Sequence, residues 1–285
     1  MQNFTPGTRY YYGQDNYINF EKHSSGAVNL VFLHGFAASL QTWTDVLRFF
    51  PRDAFNIYLV DLKGFGFSSV PRDGDYSIKA NAAIVSGFIR DNRIANPIIV
   101  GHSFGGGVAL LTTMLLAGDK DYYPRGLILI DAAAYKIDLP FFVSYMRMPL
   151  LNHLILGLTT AAYKAKYTLE RIYYDKSKIT ADKIDRYAYF MQGPSYGYAL
   201  IETASDVIPA DFELYTSKYR DIRLPSLIIW GENDRVIPLS NGHKLHTALA
   251  DSRLEVVQGC GHNVQEEMPE KAADLMLTFV QSLRR

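Results

Sequence analysis

A single cysteine, Cys260, is all the thiol chemistry in these 285 residues, so no intrachain disulfide can form and the fold does not depend on an oxidising compartment. Net charge is also missing, because 29 Lys and Arg balance 29 Asp and Glu. That balance carries no electrostatic signature of a nucleic-acid or anionic-membrane partner, and a small, mostly uncharged substrate suits it better. No stretch reaches the roughly 20 apolar residues of a transmembrane helix. The most apolar region, Pro140 to Ala162, is broken by Arg147, Pro149, Asn152 and His153 and reads as short helices lining a space. Met1 through Tyr12 lacks the basic start and apolar run of a secretory leader, which makes the cytoplasm the default compartment. Internal repeats, low-complexity tracts and like-charge blocks are absent, which excludes solenoids and charged tails.

What is present is the composition of a globular enzyme, 48% hydrophobic and 20% charged, in a length that suits one α/β domain with an insertion. From Ala27 onward short apolar runs alternate with turns and helical-period segments, the mark of a parallel sheet with crossovers. The runs are Asn29 to Leu33, Asn56 to Val60, Pro97 to Val100, Gly126 to Ile130, Ser226 to Trp230 and Arg253 to Val257. Helices are expected from Gly105 to Leu116, around Asn241 to Leu249, and from Glu267 to Leu283, and an edge hairpin from Tyr10 to Glu21. After Asp131 the strand rhythm stops for about 80 residues, too long for a plain connection. Residues 136–217 therefore read as an inserted helical cap, with Thr180 as a helix N-cap and Pro194 near a helix start, on a core made of 1–135 and 218–285.

The third run delivers Gly101-His102-Ser103-Phe104-Gly105, a G-x-S-x-G between a strand and a small-residue helix. A serine at so tight a turn takes a strained backbone, and glycines on both sides avoid a clash. The helix start favours negative charge developing on a bound acyl group. A serine hydroxyl needs a base that is itself oriented by a third group. Both follow at strand ends: a carboxylate in Gly231 to Pro238, where Glu232 and Asp234 compete, and His262 in Gly259-Cys260-Gly261-His262-Asn263. Asp131, closing an earlier run, is a third possible acid.

These signposts, with His34-Gly35, Asp61 before Gly64-Phe65-Gly66, and Glu267-Met268-Pro269-Glu270, resemble the α/β-hydrolase superfamily over nearly all of the chain except the cap. The resemblance implies an α/β-hydrolase fold, a mostly parallel central sheet flanked by helices with an inserted cap. It implies Ser103 as nucleophile, His262 as base and Asp234 as acid, since the Asn-Asp-Arg-Val-Ile-Pro turn matches the usual acid loop. The backbone N–H groups of Phe36 and Phe104 would then form the oxyanion hole. His34 and His102 would support the oxyanion loop and the elbow. No cofactor is implied. His243 and His246 share a helix face without a third ligand, so no metal site is expected. Cys260 reads as a small packing residue.

The cap is rich in aromatic and methionine side chains, which predicts an apolar pocket wall like the lids of esterases and lipases. Phe36, Phe104, Tyr135, Phe141, Tyr145, Met146 and Val236 are the candidate substrate-binding residues. The expected activity is hydrolysis of a small to medium apolar or aromatic ester through a covalent acyl-enzyme. A carbon–carbon hydrolase of 2-hydroxy-6-oxo-dienoates is the nearest alternative. Those relatives usually carry asparagine before the serine and a Gly-Pro-rich oxyanion loop, where this chain has His102 and Phe36-Ala37-Ala38. A cofactor-free perhydrolase or haloperoxidase would keep the same triad, and a non-catalytic small-ligand receptor is the reading from another class. Epoxide hydrolases and haloalkane dehalogenases need aspartate where Ser103 stands. The oligomeric state is not encoded in any feature of the sequence.

Overall fold

Successive side chains of a strand point to opposite faces, and here both faces are apolar, as in a sheet covered on two sides. The computed structural model describes residues 4–23, 26–51, 53–136, 158–206 and 212–283. In chain order the elements are β1 (Thr8–Tyr11), β2 (Tyr17–His23), β3 (Val28–Leu33), a 3-10 turn (Leu40–Trp43) leading into α1 (Thr44–Leu47), β4 (Phe55–Val60), α2 (Ile78–Asp91), β5 (Ile98–His102), α3 (Phe104–Leu115) and β6 (Gly126–Ile130). Among the described residues four α-helices follow: α4 (Ala161–Ile172), α5 (Ala181–Phe190), α6 (Gly193–Asp206) and α7 (Phe212–Thr216). The sheet resumes with β7 (Ser226–Gly231), α8 (Leu239–Ala248) and β8 (Ser252–Val257), and the chain ends in α9 (Val264–Glu267) and α10 (Pro269–Ser282).

The eight strands lie in the order β1-β2-β4-β3-β5-β6-β7-β8. The β1–β2 and β2–β4 pairs are antiparallel, and the others are parallel. The chain thus works outward in one direction through β4, returns across β3, and builds the other half from β5 on. A crevice opens at such a switch point, beyond the carboxyl ends of the strands. Register brings those ends level: Leu33 lies opposite Val60 and Gly101, and His102 opposite Ile130.

Alternation divides the core in two. Val31, Leu33, Ile99, Leu127, Leu129 and Trp230 face one way and pack with α2, α3 and α8. Leu30, Phe32, Ile98, Val100, Ile128 and Ile229 face the other and pack with Trp43, Val46 and α10. Each fully buried large side chain of this kind contributes about 1.5–3 kcal/mol relative to an exposed one. Helix starts follow local chemistry: Ser77 caps α2 through the Ala80 N–H, and Thr180 caps α5 through the Lys183 N–H.

The expected apolar runs become β3 to β8 with bounds shifted by at most two residues, and the hairpin forms at the sheet edge as β1 and β2. The closing helix forms as α10 with its bounds within two residues of expectation, and a separate turn, α9, precedes it, the two parted at Met268, whose φ of −131° and ψ of 58° are non-helical. Pro269 is the cause, since a proline ring drives the preceding residue out of the helical region. Most of the apolar region from 140 to 162 lies outside the described residues, and α4 begins at its end. No helix among the described residues is long and apolar enough to cross a membrane.

Candidate active site

Ser103 sits between β5 and α3 with φ 51° and ψ −119°, a left-handed backbone that a residue with a side chain adopts only under constraint. The constraint is hydrogen bonding. The Ser103 N–H donates to Ile130 O (2.9 Å), and its carbonyl accepts from the N–H groups of Gly106 (2.9 Å) and Ala133 (2.9 Å). Close packing explains the flanking glycines: a Cβ on Gly101 would run into the Gly105 carbonyl, and one on Gly105 into the Leu33 carbonyl. The serine itself is 8% exposed.

Ser103 Oγ donates to His262 Nε2 (2.9 Å), and His262 Nδ1–H donates to Asp234 Oδ2 (2.7 Å). The second oxygen of Asp234 accepts from the N–H groups of Val236 (2.7 Å) and Ile237 (3.0 Å), so the turn after β7 aims the carboxylate. The rival acids stand elsewhere. Glu232 Oε2 accepts from the Gly259 N–H at 3.4 Å, whereas the imidazole is met by Asp234. Asp131, at φ 44°, spends one oxygen on the Gly231 N–H (2.8 Å) and keeps the other buried. Burial and the neighbouring Asp234 push the Asp131 carboxyl well above the usual carboxylate range, and its bond to the Gly231 N–H braces β7.

His34 Nδ1–H donates to Gly35 O (2.8 Å), and its Nε2 accepts from the Leu62 N–H (2.9 Å). Burial lowers its pKa to about 4, in keeping with a neutral ring. Asp61 accepts from the N–H groups of Leu40 (2.8 Å) and Phe67 (3.0 Å) and from Asn19 Nδ2 (2.8 Å), while burial pushes its pKa up to about 6. These two residues fix the 34–40 loop that carries Phe36. His102 Nε2–H donates to the His262 carbonyl (2.9 Å), and its pKa lies well below the ordinary value through burial and the neighbouring His262. The support expected of His34 and His102 is thus directed at main-chain carbonyls and at the Leu62 N–H.

His102, Asp131 and His262 bring ligand-type atoms within 4.8 Å of one another. Both His262 nitrogens are engaged by Ser103 and Asp234, and His102 Nε2 by a carbonyl, so their hydrogen-bonding capacity is already largely committed. His243 and His246 lie apart from this cluster, with His246 bonded to Ser252. Cys260 is buried in the core, where burial and Glu267 raise its thiol pKa.

The remaining expected residues divide. Phe36 is half-buried against Phe65, and Val236 packs beside Leu169, Ile172 and Tyr173. Phe104 is 1% exposed, its ring packed in the core. Tyr135 is also a core residue, edge-on to Tyr219 with the Lys244 ammonium over its ring. Phe141, Tyr145 and Met146 lie outside the described residues.

One cluster was not anticipated. Arg186 donates to Asp45 Oδ2 (2.9 Å), Lys183 Nζ lies 3.7 Å from the same carboxylate, and Glu266 accepts from Tyr173 OH (2.8 Å), Tyr187 OH and Asn263 Nδ2 (3.0 Å). Beside it is a cavity of about 10 Å³, room for roughly one water, lined by Ala37, Ser39, Thr42, Arg186 and Tyr187 among others. Nothing in the local sequence signals these pairings, because each joins residues far apart in the chain.

A family model described as the alpha/beta hydrolase fold matches residues 28–269. The chain is 27% identical over 255 residues to an uncharacterized hydrolase, YugF, of Bacillus subtilis (strain 168), covering 90% of each chain. It is 25% identical over 281 residues to a 2-hydroxy-6-oxononadienedioate/2-hydroxy-6-oxononatrienedioate hydrolase of Paraburkholderia phymatum, covering 94% of this chain and 92% of that one. The crystal structure of an α/β-hydrolase fold protein from Burkholderia ambifaria superposes with a TM-score of 0.82 at 23% identity, over 96% of this chain and 98% of the other.

Proposed function

The chain belongs to the α/β-hydrolase family, and within it we propose a serine hydrolase that cleaves a small to medium apolar or aromatic carboxylic ester through a covalent acyl-enzyme. One observation carries this reading: Ser103, His262 and Asp234, delivered by three separate strand ends, form a continuous hydrogen-bonded line of 2.9 and 2.7 Å. His262 Nε2 takes the Ser103 proton as Oγ attacks the ester carbonyl, then returns it to the leaving alcohol. Asp234 fixes the tautomer that leaves Nε2 free to accept. The developing oxyanion is met by the N–H groups of Phe36 and Phe104, each worth about 3 kcal/mol of transition-state stabilisation. Phe104 opens α3, so its N–H precedes the intrahelical ladder. Water then repeats the sequence on the acyl-enzyme with the same base.

Residues 136–217 act as the cap over this centre, with the core in 1–135 and 218–285. Phe36 and Val236 supply apolar contact from the core side. The test is a fluorophosphonate probe followed by peptide mapping. Stoichiometric label on Ser103, absent in Ser103→Ala, supports the reading; folded wild-type protein that stays unlabelled would point to a ligand-binding member of the family.

The second reading, carbon–carbon hydrolysis of a dienoate, is favoured by the name of the Paraburkholderia relative. Such a substrate brings a keto-acid head that needs a cation free to face it. Buried Arg186, which lines the cavity beside the 34–40 loop, and partly buried Lys183 next to it are both already paired with Asp45. The same enzyme preparation assayed on a 2-hydroxy-6-oxo-dienoate decides the matter: kcat/KM orders of magnitude above every ester replaces the ester assignment and leaves the triad in place.

A further inference from the structure

The segment that follows α4 is bonded to the histidine loop. The His262 N–H donates to Ile172 O at 2.7 Å. The neighbouring Gly261 N–H donates to Glu267 Oε2 at 2.8 Å, and the same oxygen accepts from the Tyr174 N–H at 3.2 Å. The other oxygen, Oε1, accepts from the Asp175 N–H at 2.7 Å. Glu267 is 2% exposed and forms no ion pair among the described residues. Its carboxyl oxygens accept from three main-chain N–H groups drawn from two separate segments, with the Cys260 thiol beside them. Gly261 fits this junction for lack of a side chain, since a Cβ there would meet Ile172 O and stand 2.7 Å from the Tyr174 nitrogen. On the opposite side His102 holds the His262 carbonyl.

Asp234 and Ser103 engage only the imidazole, so they do not by themselves fix where its backbone stands. We infer that Glu267 is a positioning residue for His262, tying the histidine loop to residues 174 and 175 so that the insertion between β6 and β7 sets the place of the base. The inference rests on His262 being the base proposed above. A carboxylate suits the task because it offers two oxygens that only accept, and three N–H groups converge on it. Without it those donors lose their partner in a buried place, and the loop is free to shift against α4. A displacement of the base by about 1 Å costs on the order of 100-fold in rate.

Three variants test this. Glu267→Ala removes both acceptors. Glu267→Gln keeps one and turns an NH2 toward the donors that the other served. Gly261→Ala presses on Ile172 and Tyr174 from the loop side and leaves Glu267 untouched, so it serves if Glu267→Ala does not fold. For each, the fluorophosphonate labelling rate, kcat and KM on a p-nitrophenyl ester, thermal unfolding and the low-field NMR signal of His262 Nδ1–H are measured. The expected result is a fall of about 100-fold in kcat and labelling rate for Glu267→Ala, a smaller fall for Glu267→Gln, KM little changed, and a displaced or lost His262 proton signal. A purely structural carboxylate would lower the melting temperature but leave labelling rate, kcat and the proton signal of the folded variants at wild-type values, and that outcome overturns the inference. If wild-type protein is not labelled at Ser103, the triad reading falls and the positioning role falls with it. Labelled wild type with variants at the same rate removes only the positioning role.

Discussion

Two buried groups beside the 34–40 loop titrate in opposite senses, and removing one should expose the other. Asp61 has its pKa pushed up to about 6 from an ordinary 3.8, and His34 has its pKa pushed down to about 4 from 6.5, both chiefly by burial. Between pH 6 and 3.8 the folded chain holds the Asp61 proton while the unfolded chain has released it. Stability from this group therefore grows as pH falls through that window. At about 1.4 kcal/mol per unit, a shift of about two units amounts to about 3 kcal/mol. Between pH 6.5 and 4 the unfolded chain has protonated His34 and the folded chain has not, so stability falls with pH by a similar amount, about 3 kcal/mol. In the wild type the two contributions offset each other. Asp61→Asn cancels the first contribution and leaves the second. Relative to wild type, the variant should lose about 3 kcal/mol more unfolding free energy on going from pH 7 to just below 4. Urea unfolding followed by tryptophan fluorescence at half-unit pH steps measures this, since Trp43 and Trp230 are both fully buried. The difference between the two proteins cancels every other titrating group. A difference that stays flat across the range, or that shrinks as pH falls, would refute the reasoning.

At the reaction centre, Ser103→Ala should cut ester hydrolysis by about a thousandfold or more while leaving the melting temperature close to wild type, because alanine fits the turn; residual turnover well above that level would remove Ser103 as nucleophile. Asp234→Asn should lower kcat by about 10⁴ through the wrong histidine tautomer. Asp131→Asn should stay within a few-fold of wild type, because Asp131 bonds the Gly231 N–H and not the His262 ring, and a reversal of the two phenotypes in side-by-side kinetics would reassign the acid. Across p-nitrophenyl esters of rising chain length, kcat/KM should climb up to about fourfold per methylene, the equivalent of ~0.8 kcal/mol, until the pocket is filled. Activity that declines from acetate onward would leave the cap aromatics as packing only. Gly105→Ala should destabilise the protein in thermal unfolding, since its Cβ has no space beside the Leu33 carbonyl; an unchanged melting temperature would contradict the close packing at the elbow.

Much of this was legible in the sequence because it is local. Period-two alternation of apolar residues fixes which segments become strands, and a strand buried on both faces reads as a continuous run such as Leu127 to Ile130. Glycines at 101 and 105 mark a turn too tight for side chains whatever lies around it. The order of serine, acid and histidine at strand ends needed no coordinates either. The choice among Glu232, Asp234 and Asp131 rested on a turn resembling a known one, and the geometry separates them: one carboxylate meets Nδ1 at 2.7 Å, one meets a loop N–H, and one braces β7.

What the sequence by itself determined is therefore the set of strands, the strained turn and the candidate serine, acid and histidine at strand ends, all read from apolar runs and backbone sterics within a few positions. Tertiary structure decided which polar groups meet across the chain. Glu267 bonds to residue 175 over a separation of 92 positions, Arg186 to Asp45 over 141, and His102 to the carbonyl of His262 over 160. The physical reason is that a hydrogen bond between distant segments depends on how sheet order and helix packing place them, and no local pattern of residues encodes that placement.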